Sequence, residues 1–81
     1  MDKRICVVGI VIENLNNVNI VNSILHDYST VIVGRMGIPY RERGISVISI
    51  IVDGTMDEIS ALTGKLGRIE GVTVKSAITK N

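Results

Sequence analysis

RICVVGIVI, residues 4 to 12, decides the fold of this chain. The run is continuous, apolar and rich in β-branched side chains, which crowd a helical backbone but sit well on a pleated sheet. Past Arg4 it has no polar position on either side of the pleat. It therefore reads as a central strand covered on both faces. Residues 45 to 52, ISVISIIV, have the same character and read as a second central strand. Two further strands fit beside them. Residues 30 to 36 are TVIVGRM, and residues 72 to 78 are VTVKSAI. The last of these sets Val72 and Val74 against Thr73 and Lys75, the alternation of an edge strand with one wet face.

Helical spacing fills the gaps between strands. Asn14 is placed as an N-cap, and apolar residues then fall at Leu15, Val18, Val21, Leu25 and Tyr28, widened by Ile20 and Ile24. Asn16, Asn17 and Asn19 are poor helix formers, so packing must hold this helix more than propensity does. Thr55-Met56-Asp57-Glu58 predicts a capping box, followed by Ile59, Leu62, Leu66 and Ile69 at helical intervals. Gly64 and Gly67 weaken that second helix by about 1 kcal/mol each relative to Ala, unless close packing requires them. Asp53-Gly54 and Glu70-Gly71 supply turns. Gly37 to Gly44, with the only proline, reads as the connection between the second and third strands.

The order is βαββαβ, the split βαβ or ferredoxin-like pattern of the α+β class. It predicts a four-stranded antiparallel sheet with the first and third strands central. Right-handed crossovers place both helices on one face. Residues 1 to 81 make one domain, with no linker and no short repeat.

Composition narrows what such a domain can do. Eighty-one residues lie near the lower limit for a self-sufficient core. Cys6 is the only cysteine, so no internal disulfide can help, and His26 is the only histidine, so a metal site is not expected. Association with other chains remains. Hydrophobic residues are 46% of the chain without a single Phe or Trp, and nine basic groups against eight acidic ones leave a charge of +1. That balance steers neither nucleic acid nor lipid, so neither direct nucleic-acid binding nor membrane attachment is expected. The apolar run at the start is short for a signal core and has no small-residue cleavage site, which makes the cytoplasm the expected location.

Parity along the central strands strengthens the case for association. Ile5, Val7, Gly9 and Val11 share one side of the first strand, and Cys6, Val8, Ile10 and Ile12 the other. The third strand sets Ile45, Val47, Ser49 and Ile51 against Ser46, Ile48, Ile50 and Val52. Two helices cover one such face only. Fully burying a Val or Ile contributes roughly 1.5–3 kcal/mol, so the uncovered face should meet a neighbour, in a dimer or tetramer. Cys6, Val8, Ile10, Ile48 and Ile50 are taken as the residues of that interface. The plainer alternative is that both faces are apolar because β-branched residues favour strands.

GRMGIPYRERG, residues 34 to 44, is the most distinctive segment. Arg35, Tyr40, Arg41 and Arg43 are the candidate binding residues, because guanidinium forks and glycine-flanked amides suit an anion or an acidic partner surface. The competing reading is a solvated hairpin loop. No nucleophile–base–orienter set, P-loop or dinucleotide fingerprint is present, and Glu13, Asp53, Asp57 and Glu58 sit where caps and helix dipoles use them. An enzyme is not expected, nor a cofactor.

That same string, with Ile51-Val52-Asp53-Gly54-Thr55, Ala61 to Arg68 and Gly71 to Ser76, resembles a family of small bacterial proteins. These are labelled regulators of the iron-only hydrogenase system. The resemblance spans residues 4 to 78 and implies an ACT-like fold, likened also to the C-terminal domain of nickel-responsive repressors. It implies an oligomer of packed sheets that acts through a ligand of unknown identity or through a hydrogenase-system protein. A structural assembly factor for hydrogenase maturation is the alternative. Nickel-responsive repressors bind metal through several histidines and a cysteine, and this chain has only His26 and Cys6, so nickel sensing does not carry over. Amino-acid-binding ACT domains commonly carry glycine between the first strand and helix, where this chain has Ile12-Glu13-Asn14-Leu15. Acylphosphatases share the fold, but no matching Arg/Asn phosphate site is present.

Overall fold

The strand read over residues 4 to 12 forms in full, and the rest of the molecule is arranged around it. A computed structural model describes residues 2 to 80. The elements run β1 (Arg4–Ile12), a 3-10 turn (Leu15–Asn17), α1 (Val18–Asp27), β2 (Ile32–Tyr40), a second 3-10 turn (Arg41–Arg43), β3 (Ile45–Gly54), α2 (Met56–Gly67) and β4 (Val72–Ile78). The strand order is β2-β3-β1-β4, all antiparallel, with β1 and β3 central as the parity of the sequence requires. This is the ferredoxin-like α+β arrangement.

Register divides the sheet into two faces. Cys6, Val8 and Ile10 stand opposite Val52, Ile50 and Ile48, and all six are at most 3% exposed. Val21 and Leu25 of α1 and Ile59, Leu62 and Leu66 of α2 close over them, so this is the core. It also corrects the interface expected from the sequence. Cys6, Val8, Ile10, Ile48 and Ile50 are buried within the chain itself and cannot meet a neighbour. Two apolar faces were legible in the strands; which one the helices take was not. The uncovered face carries the opposite parity: Val7 opposite Ile51 and Ala77, Gly9 opposite Ser49 and Lys75, Val11 opposite Val47 and Thr73.

The turns follow the expected chemistry. Thr55 and Glu58 form the reciprocal capping box, with the Thr55 N–H donating to Glu58 Oε1 at 2.8 Å and the Glu58 N–H to Thr55 Oγ1 at 3.2 Å. Asn14 caps too, accepting from the Asn16 N–H at 3.0 Å, but the asparagine-rich turn that follows winds as 3-10 and the α-helix begins only at Val18. Asn side chains compete with the helix for backbone partners, which explains the delay. At the other end of the chain Gly71 takes φ +76 and its carbonyl accepts from the Glu13 N–H at 2.7 Å, locking the β1–α1 turn to the α2–β4 turn.

The largest departure is in β2. It continues through Gly37, Ile38 and Pro39 to Tyr40, residues expected to lie in a connection. Pro39 is tolerated because β2 is an edge strand, where a missing N–H costs no ladder bond on the open side. The ladder to β3 also slips once: Ile32 pairs with Val52 but Gly34 with Ile51, leaving Val33 as a β-bulge.

Candidate functional site

The bulge at Val33 sets the chemistry of this end of the molecule. A one-residue slip exchanges the faces of every later side chain. Beyond it, Gly34, Met36, Ile38 and Tyr40 join the open face, and Arg35, Gly37 and Pro39 turn toward the helices. The open face thereby gains Met36 at 63% exposure and Ile38 at 54%, beside Ile5, Val7 and Ile51 at 41–45%. Four strands about 4.8 Å apart and eight residues of about 3.4 Å each make a face on the order of 500 Å² in projection, with Gly9, Ser49, Thr73 and Lys75 set among its apolar side chains. Apolar side chains gathered on an uncovered sheet face suit an interaction surface. A shallow depression of about 220 Å³ dents it, lined by Gly34, Arg35, Met36, Ser49 and Ile51.

On the helix side, the three inward positions Arg35, Gly37 and Pro39 offer no large apolar group for α1 to pack against. α1 has ten residues and so spans about 15 Å, roughly half the length of β2. A cleft of about 430 Å³ remains between them, lined by Asn22, Leu25, His26, Ser29, Ile32, Gly34 and Arg35. Arg35 reaches across it and donates to Asn22 Oδ1 at 3.0 Å.

The four residues expected to bind together therefore separate. Arg35 lies on the helix side at the cleft, Tyr40 on the open face, and Arg41 and Arg43 in the exposed turn before β3. Arg35 and Arg41 are six positions apart along extended chain, about 20 Å, so one small ligand cannot engage both. Asn22, His26 and Ser29 were missed as partners of Arg35. Asn22 and His26 are four apart on one face of α1, which is the signal that could have found them, and Ser29 lies in the turn that follows. The charges in the tip turn are ordered by Gly44, whose φ of +64 closes it.

Cys6 and His26 do not meet. Cys6 is fully buried in β1, where burial pushes its thiol above the ordinary range although a hydrogen bond with Ser76 opposes the shift. A protonated, enclosed thiol is neither a ready nucleophile nor a ready ligand. Among the described residues, no group of three or more His, Cys, Asp and Glu side chains comes together. No helix among them is long and apolar enough to cross a membrane.

Fold and surface together define a ferredoxin-like α+β module with an uncovered apolar sheet face. The chain belongs to the TM1266-like family, described as "Iron-only hydrogenase system regulator, putative", whose pattern matches residues 4–76. Its structure is similar to that of protein TM1266 from Thermotoga maritima, with a TM-score of 0.92 and 38% identity over 98% of this chain and 100% of that one. More distant likenesses share the fold alone. A formyltetrahydrofolate deformylase from Pseudomonas putida KT2440 matches at a TM-score of 0.61 and 13% identity, over 99% of this chain and 30% of that chain. CPII from Thiomonas intermedia K12, a nitrogen regulatory PII-like protein, matches at 0.51 and 11% identity, over 96% and 95%. No curated protein matches the sequence.

Proposed function

We propose that the chain is a non-catalytic, cytoplasmic regulatory module of the iron-only hydrogenase system that works as a homo-oligomer, in the first instance a twofold dimer. The membership of the family supports the system. The open sheet face supports the association, and it is the observation that carries the reading. Ile5, Val7, Met36, Ile38 and Ile51 are each at least 41% exposed on one continuous surface of an 81-residue chain. A second copy is the natural cover, since one flat apolar face is complementary to itself across a twofold axis. Stacked sheets about 10 Å apart would interdigitate these side chains. A ligand or partner protein that prefers one packing of the two sheets would then alter the module's behaviour.

Multi-angle light scattering at micromolar concentration tests the association, with a mass of two chains expected. A folded monomer would end it. Deleting the gene in a hydrogenase-producing host tests the assignment to the system, and unchanged hydrogenase activity would count against it.

A second reading has its own support. The tip turn Arg41-Glu42-Arg43 is exposed and far from the cleft, which suits contact with an acidic surface of another protein. The module would then be an assembly factor without a small ligand. Capture of a maturation protein that is lost on changing Arg41 and Arg43 to Ala favours this reading; capture unaffected by the change removes the turn from it.

A further inference from the structure

The cleft between α1 and β2 has more donors than the one hydrogen bond that ties Arg35 to Asn22 uses. Arg35 and His26 are the charged or chargeable groups that line it, and no carboxylate does. The guanidinium carries five N–H donors and gives one to the neutral Asn22 amide oxygen. Because that oxygen is committed to Arg35, Asn22 has its NH2 group left to offer. Ser29 adds a hydroxyl and His26 a ring N–H. Each of these polar side chains can therefore donate; Arg35, His26 and Ser29 are exposed, and the apolar surface of the cleft is half-buried Ile32, with Leu25 buried beneath. At about 430 Å³ the space, open on its solvent side, is large enough for a small molecule.

We propose that this cleft binds a small organic oxyanion, a carboxylate or phosphate head held by Arg35, Asn22, His26 and Ser29, with a short apolar body against Ile32. The fork of a guanidinium matches the planar edge of such a head. The position differs from the β1–α1 turn, which lies at the other end of α1 and is occupied by its bond to Gly71. The bulge at Val33 makes the site, because it alone aims Arg35 at α1. The cleft names a ligand for the regulatory reading and depends on that reading only for its consequence in the cell.

Titration of the amide NMR spectrum of the full chain with acetate, isovalerate and inorganic phosphate provides the test. Saturable shifts confined to residues 22–29 and 32–35 are expected. If the head is carboxylate, isovalerate binds severalfold more tightly than acetate, since its branched end lies against half-buried Ile32. If the head is phosphate, inorganic phosphate saturates the same signals and the carboxylates do not. Arg35→Gln should weaken binding tenfold or more and His26→Gln severalfold, with Arg68→Gln, at the far end of α2, unchanged. Linear shifts spread over the Arg41–Arg43 turn, or affinity indifferent to Arg35→Gln in a folded variant, would overturn the site. Light scattering on the same samples separates the two questions. An empty cleft in a dimer leaves the oligomer standing, and saturation in a monomer leaves the cleft standing.

Discussion

Gly71 is the residue with the least freedom. Its φ of +76 excludes ordinary side chains, and a Cβ there would lie 2.9 Å from the Asn14 Cβ. The Asn14 side chain is the cap of the turn that leads to α1, and Asn17 Nδ2 donates to the Glu70 carbonyl at 2.6 Å on the same junction. Gly71→Ala should therefore cost about 2 kcal/mol or more, read as a lower urea midpoint at unchanged slope. A loss below 0.5 kcal/mol would mean the junction yields. Glu58 gives a pH prediction. Hydrogen bonds from the Thr55 N–H and hydroxyl hold its carboxyl below the ordinary glutamate range, with a small contribution from Lys3. A carboxyl lowered in the folded state contributes stability above its unfolded range and loses it as pH falls through the folded value. The stability gap between the native chain and Glu58→Gln should thus be present at neutral pH and close on acidification below about pH 4. A gap that stays constant down to pH 3 would exclude the linkage.

Among the elements, α2 is the one that can be improved. Gly64 sits inside it, exposed, and a Cβ there would meet nothing within 4 Å. Close packing was the one reason the sequence offered for this glycine, and packing does not require it. Gly64→Ala should stabilise the fold by up to about 1 kcal/mol, visible as a higher thermal midpoint; destabilisation would point to an unseen neighbour on that surface. The capping box at Thr55 was readable because its two partners are three residues apart and need nothing from elsewhere. β1 and β4 were readable for the same kind of reason, since local pattern alone settles a run of β-branched residues or a clean alternation. β2 was not. Read as residues 30 to 36 only, it runs on to Tyr40, and the bulge that sets Ile32 on one face and Gly34, Met36 and Ile38 on the other leaves no mark in the residue types.

For the whole molecule, the open face decides behaviour. If two copies share it, the folded state is linked to association, and stability must rise with protein concentration. The thermal midpoint should climb measurably between 1 and roughly 100 µM, by mass action on a dimer. Val7→Glu, which places a charge among Ile5, Ile51 and Ala77 without touching the core, should abolish that dependence and give a monomer with the same circular dichroism at low temperature. A concentration-independent midpoint in the native chain would leave the face without a second copy. Lys75 sits on this face on edge strand β4, opposite Gly9, where a charge also discourages unwanted strand addition.

The residues by themselves determined the element order, the two central strands, both caps and the presence of two apolar sheet faces, because each depends on neighbours within a few positions along the chain. Which face the helices cover, where β2 slips, and whether Arg35 meets Tyr40 or Asn22 were decided only in three dimensions. Faces of a strand are equivalent until a helix packs on one of them. A bulge is chosen by the fit of a whole strand against its partner and against a helix too short to cover it, and that fit is a property of the assembled sheet.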